Sequence, residues 1–166
     1  AGVDTIEHCS WVGREGWASD YQESVAKIIL DNGVWVSPTV NKGWQRMLDS
    51  KEGKVLGRVR AAYKQMLALG IPMVASTDAG IPGVYHAELP HALVVLAKIA
   101  ELTNEATLIS ATSDAAKALG VSDKTGRLTG IFNERAQRLI YQHIPQDSPE
   151  KKTKAFDMSR RICTKI

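Results

Sequence analysis

Along residues 1–120, short β-branched runs alternate with longer stretches in which apolar residues recur every three to four positions, the two periods that separate strands from helices. Thr5-Ile6-Glu7-His8 is the first strand candidate, and the turn-rich segment around Trp11, Gly13, Gly16 and Trp17 reads as a long loop. Val25, Ile28, Ile29 and Leu30 then carry the helical period over about residues 21–32, with Asp20 and Glu23 spaced as a capping box and Gly33 as the stop. Residues 34–40, rich in β-branched and aromatic side chains and ended near Pro38, predict a second strand. A helical region over 42–69, with a possible break near Gly53, closes at Gly70. Residues 71–77 predict a third strand that runs into Asp78-Ala79-Gly80, and helices follow over about 88–102 and 104–119, punctuated by Thr103 and Gly120.

Strand, helix, strand, helix, strand, helix, helix is the order of a parallel α/β fold with right-handed crossovers. A complete (β/α)8 barrel takes about 250 residues, so this chain has room for about three of its eight units. The expected fold class is therefore α/β: a partial (β/α)8 TIM barrel, holding about the last three β/α units, with a helical C-terminal extension. Ala1-Gly2-Val3-Asp4 enters the first strand with no polar lead-in, which suggests a cut inside a larger fold.

Charge divides the chain. Residues 1–130 carry 13 Lys/Arg against 14 Asp/Glu, and residues 131–166 carry eight against four, so the net charge of +3 belongs to the tail. Within that tail Ile131, Phe132, Ala136, Leu139, Ile140 and Ile144 recur at helical spacing. Ser148-Pro149-Glu150 then reads as the cap and first turn of a second, basic amphipathic helix. A solvated helix explains it better than a nucleic-acid or membrane surface, because no aromatic and basic face accompanies it. No apolar stretch approaches the roughly 20 residues of a membrane span, and no leader pattern opens the chain. Cys9 and Cys163 are too few and too far apart for a disulfide framework or a cysteine zinc site. A soluble, cytoplasmic protein that binds neither nucleic acid nor membrane is expected.

Ligand sites of parallel α/β folds lie at the carboxyl ends of the strands, where His8 and Asp78 fall. An imidazole nitrogen and a carboxylate oxygen suit zinc or a similar divalent ion. From local context alone, His8 reads more often as a hydrogen-bonded structural histidine than as a ligand, and Asp78 equally as a turn or helix cap.

Three longer stretches change that balance: Gly2-Val3-Asp4-Thr5-Ile6-Glu7-His8, Ser76-Thr77-Asp78-Ala79-Gly80, and the helix Ile109-Ser110-Ala111-Thr112-Ser113-Asp114-Ala115-Ala116-Lys117-Ala118-Leu119-Gly120. Together, and in this order, residues 1–130 resemble the amidohydrolase superfamily, in particular its imidazolonepropionase-like and Xaa-Pro-dipeptidase-like members. The resemblance implies that His8 is the metal-ligand histidine ending the sixth barrel strand. It implies that residues 34–40 form the seventh strand and that Asp78 ends the eighth. The implied activity is metal-dependent hydrolysis of C–N bonds in an amide, a cyclic amide or an acylated amino acid, with zinc as the divalent cofactor and a small molecule as substrate. Asp78 would take a proton from the metal-bound water and hand it to the leaving amine.

The resemblance also implies that His86, in the loop after Asp78, is a candidate substrate contact; Trp11 and Trp17, in the loop after His8, are candidate pocket-lining residues. His91 reads as an exposed or helix-capping residue, His143 has no chemical companions, and Trp35 reads as strand packing. The family's remaining ligands lie on earlier strands. Two protein ligands remain here against the three of a usual catalytic zinc site, so this chain alone is expected to be inactive. The family pattern also stops after Leu128-Thr129-Gly130, which motivates a boundary between residues 1–130 and an atypical tail at 131–166. The alternative function is a non-catalytic fragment or pseudoenzyme whose open sheet edges drive self-association, as a homo-oligomer, or pairing with a chain that supplies the missing barrel half.

Overall fold

A computed structural model describes residues 2–50 and 53–127. The amphipathic helices expected over 131–166, and His143 with them, lie outside the described residues.

Strand β1 (Thr5–Glu7) pairs in parallel with β2 (Trp35–Ser37), in the register Thr5↔Trp35, Ile6↔Val36 and Glu7↔Ser37. The third expected strand contracts to one parallel bridge, Val36↔Met73, made by Val36 N–H donating to Pro72 O and Val74 N–H donating to Val36 O, both at 2.9 Å. Proline supplies no N–H, so this segment cannot extend the ladder at position 72. Beyond the bridge, Ala75 N–H donates instead to Ser110 O at 3.1 Å. Three parallel segments are thus present, in chain order β1, β2 and 71–75, and only the first two form a regular sheet.

Helix α1 (Glu23–Asp31) follows β1. It starts later than the period suggests and lacks the capping box, because Asp20 accepts a hydrogen bond from Gln22 Nε2 at 3.2 Å rather than from the first turn. The region 42–69 resolves into a 3-10 turn at Lys42–Trp44, α2 (Gln45–Asp49) and α3 (Lys54–Leu69), so the break anticipated near Gly53 is present. Gly70 ends α3 in left-handed backbone (φ 88°) and lets Ile71 N–H return to Met66 O.

A 3-10 turn at His86–Glu88 leads into α4 (Leu89–Ala100). Thr103 caps α5 (Asn104–Ser110), its side chain accepting from Ala106 N–H. The single helix expected to Leu119 is broken at Ala111 and Thr112, after which α6 (Ser113–Ala118) completes it.

Leu56, Val59, Tyr63 and Met66 lie at three- and four-residue spacing on one face of α3, and that face packs with Ala26 and Ile29 of α1 and Val95, Leu96 and Ile99 of α4. Val36, Val40, Ile71 and Met73 close this core from the strand side, with Val36 and Ile99 wholly inaccessible. The apolar ballast therefore anchors the strands at their flanks and leaves their carboxyl ends for polar residues. None of the described helices is long and apolar enough to cross a membrane.

Candidate functional site

The carboxyl ends of the three parallel segments carry His8, Ser37 to Thr39, and Ser76 to Asp78. Thr39 and Ser37 are buried, and His8 and Asp78 are exposed. Register brings Glu7 opposite Ser37, and the Ser37 hydroxyl hydrogen-bonds the Glu7 carboxylate. Ser37 Oγ also lies 2.8 Å from Ser76 Oγ, which accepts the Thr39 N–H at 2.9 Å. Thr39 Oγ1 in turn lies 2.7 Å from His8 Nδ1, and His8 N–H donates to Ser37 O at 2.7 Å. Side chains from all three strand ends thus form one continuous hydrogen-bonded array, with Asp78 two residues beyond Ser76.

Glu7, Ser37, Thr39 and Ser76 were not singled out by sequence reasoning. The signal available was a run of polar residues at the end of each strand, in Val36-Ser37-Pro38-Thr39 and Ala75-Ser76-Thr77.

Both tryptophans of the loop after β1 are placed by aromatic contacts. Trp11 packs on Tyr21, with ring centroids 4.8 Å apart and a 55° tilt, and donates its indole N–H to Met66 Sδ at 3.4 Å. Trp17 is 43% exposed and meets Trp44 of the next loop at 5.1 Å. His86 is exposed at the start of its 3-10 turn, and His91 is exposed in the first turn of α4. Glu88, between them, pairs with Lys42, which ties the loop after Asp78 to the loop after β2. The Lys42 hydrogen bond holds the Glu88 carboxyl below its ordinary range.

Cys9, next to His8, faces the core, with its thiol 4.0 Å from Met66 Sδ, and burial pushes its pKa up to about 11. An inert thiol follows, since the thiolate is the nucleophile. Iodoacetamide at pH near 8 is expected to leave Cys9 unmodified in the folded protein and to label it in denaturant, as read by peptide mass. The pH dependence has a definite sign. The folded thiol keeps a proton that the unfolded chain releases above 9.0, so stability is unaffected below that value and falls as pH rises towards about 11. A stability flat across that window, or ready labelling of folded protein, would contradict the burial of this thiol.

Donor chemistry suits a zinc-type ion in part. The His8 imidazole and the Asp78 carboxylate are the right donor types at the right end of the strands. No group of three or more His, Cys, Asp or Glu side chains able to hold a metal ion occurs among the described residues. His8 and Asp78 are two donors, one short of the three protein ligands of a usual catalytic zinc site.

No family model matches the chain, and no curated protein sequence matches it. Solved structures do share its fold. A crystal structure of an amidohydrolase superposes with a TM-score of 0.52 at 23% identity, covering 76% of this chain and 30% of the other. A Xaa-Pro dipeptidase with methionine bound in its active site gives 0.55 at 23% identity, over 77% of this chain and 32% of the other. A prolidase complexed with N-methylphosphonate-L-proline gives 0.53 at 22% identity, over 77% and 31%. At these identities the likeness is one of fold, and the chain spans about a third of the length of the structures it matches. In fold, the chain corresponds to a part of an amidohydrolase-type structure.

Proposed function

We propose that this chain forms one wall of the active site of a metal-dependent hydrolase of C–N bonds, acting on amides, cyclic amides or acylated amino acids, and that its first 130 residues are the last three β/α units of a (β/α)8 barrel. One observation carries the reading: His8 and Asp78 follow parallel segments whose ends are joined by a single hydrogen-bonded array, in a fold shared with amidohydrolase and prolidase structures.

In this reading His8 and Asp78 hold a zinc-type ion, together with donors from strands outside this chain. Such an ion supplies a water acidic enough to be deprotonated near neutral pH. The Asp78 carboxylate would be the group that takes a proton from the attacking water and gives it to the amine nitrogen as the C–N bond breaks, which would spare the departure of an amide anion. Trp17, half open to solvent in the loop after β1, would offer an apolar surface to substrate, and His86 a hydrogen bond from the loop after Asp78. Trp11, with its ring committed to Met66 and Tyr21, shapes the loop that carries Trp17.

A second reading is favoured by the edge of the sheet. Among the described strands β1 pairs only with β2, so its other edge offers unpaired backbone groups to another chain. Association through that edge would complete a site without this chain being a whole enzyme.

Metal analysis of the purified full chain on a mass-resolved column tests both. Zinc bound in stoichiometric amount by an assembly larger than the monomer, lost in His8→Ala and in Asp78→Ala, and accompanied by hydrolysis of acyl-amino acids or Xaa-Pro dipeptides, is the expected result for the hydrolase and assigns the missing donors to a second chain. Well-folded wild-type assemblies with neither metal nor hydrolysis overturn the enzymatic reading.

A further inference from the structure

Asn32-Gly33, exposed at the end of α1, is the only Asn-Gly pair in the sequence. That linkage carries chemistry of its own. The Gly33 nitrogen, once deprotonated by solvent, attacks the side-chain carbonyl carbon of Asn32, closing a five-membered imide ring as ammonia leaves with the proton. Water then opens one of the two imide C–N bonds and gives either aspartate or isoaspartate. An amide and water thus become an acid and ammonia, with no enzyme or cofactor. Glycine favours the reaction because no side chain shields the attacking nitrogen.

In the folded chain both reacting groups are already engaged. Helix α1 ends in a Schellman motif: Gly33 takes left-handed backbone (φ 64°), its N–H donates to Leu30 O at 2.9 Å, and Val34 N–H donates to Ile29 O at 3.1 Å. Val34 and Ile29 are both buried in the core, which holds the motif shut. The Asn32 side chain turns back along the helix, and its Nδ2 donates to Ile28 O at 2.8 Å, beside the Asn32 N–H at 3.2 Å. Only the nitrogen of the side-chain amide can donate to a carbonyl, so this contact fixes which way the amide faces. The nucleophile therefore keeps its proton on Leu30 O, and the electrophile is tethered to Ile28 O.

We infer that Asn32-Gly33 is a spontaneous deamidation site gated by the cap of α1: protected while the cap is closed, reactive when the end of α1 unwinds, and converted to products that cannot rebuild the cap. The aspartate product replaces the donating amide with a carboxylate that only accepts, facing Ile28 O. It also adds negative charge beside Asp31 at the negative end of the helix dipole. The last turn holds no basic residue to offset that charge, and Lys27 is paired with Glu23. The isoaspartate product routes the main chain through an additional carbon before Gly33, which takes Val34 out of register with Ile29 just ahead of β2. An opening that reacts is therefore not reversed. The chemistry is independent of the proposed hydrolase.

Peptide mass mapping of the full chain, held in warm, mildly alkaline buffer with and without unfolding concentrations of urea, reads the conversion of Asn32 directly. Native protein is expected to convert at least about tenfold more slowly than the chain in urea, because reaction waits on local opening. Ile28→Gly weakens α1 at an exposed position, and is expected to speed conversion about two- to fivefold in native protein and not in urea. Asn32→Asp, the direct product, is expected to lower Tm by about 1–4 °C. Equal rates with and without urea, or a native rate that Ile28→Gly leaves unchanged, overturn the gating. Absence of conversion in urea overturns the site itself. An Asn32→Asp protein as stable as wild type overturns the claim that the product cannot rebuild the cap.

Discussion

Met66→Ala is expected to lower the unfolding free energy by about 3–5 kcal/mol, within the range for burying a cavity where a large core side chain stood. Met66 is wholly inaccessible on α3, in the one core that joins α1, α3, α4 and the strands. Its sulfur also accepts the Trp11 indole N–H at 3.4 Å, so truncation leaves that donor without its acceptor as well as opening a void. Domains of this size hold about 5–15 kcal/mol in total, so the variant would retain little margin. Urea unfolding followed by tryptophan fluorescence measures the loss. Met66→Leu separates its causes, because a volume-conserving exchange costs less than about 1.5 kcal/mol and removes only the sulfur. A loss below about 1 kcal/mol in Met66→Ala would mean that the core relaxes around the gap and that Trp11 finds another partner.

The same residues show why some of this structure is legible in sequence and some is not. Leu56, Val59, Tyr63 and Met66 announce the buried face of α3 because helical spacing is local, and Thr103 and Gly70 punctuate helices through bonds made within a turn. Residues 71–77 look like a strand by composition, but strand formation depends on what lies alongside, and Pro72 limits this segment to one bridge with β2. Thr112 interrupts the last helix by bonding its own hydroxyl back to Leu108 O at 2.6 Å, an alternative that a count of helix formers does not weigh. At the strand ends, His8 and Asp78 stand out as candidates through the stretches Gly2 to His8 and Ser76 to Gly80. Ser37, Thr39 and Ser76 do not, because a hydroxyl takes its meaning from its partner, and the partner here is chosen by a register between segments 30 to 40 residues apart. The pairing of Trp17 with Trp44 is hidden for the same reason, since it joins two separate loops.

Asp78→Asn in the metal-loaded protein is expected to reduce kcat by about 10²- to 10⁴-fold, the usual contribution of a positioned general acid–base group. Asn keeps the shape of Asp and, like it, accepts the left-handed backbone that this position requires (φ 58°). The side chain is exposed, so stability should stay within about 0.5 kcal/mol of wild type, and a fall in rate is then not a fall in folded protein. The amide can neither take the proton of the attacking water nor give one to the leaving nitrogen. If proton transfer is the whole role of Asp78, metal content and KM stay near wild type while kcat drops by an amount equivalent to about 3–5 kcal/mol in the barrier. If the carboxylate also holds the ion, metal content falls in the same sample, and added zinc restores occupancy without restoring the rate. His8→Ala should behave differently, losing metal and rate together, with no step that excess zinc leaves behind. A kcat within tenfold of wild type in a fully loaded Asp78→Asn protein removes Asp78 from the chemistry and leaves it as a turn residue at the end of the third segment. The comparison decides between these because the left-handed conformation is common to both roles, whereas only one of them needs a proton acceptor.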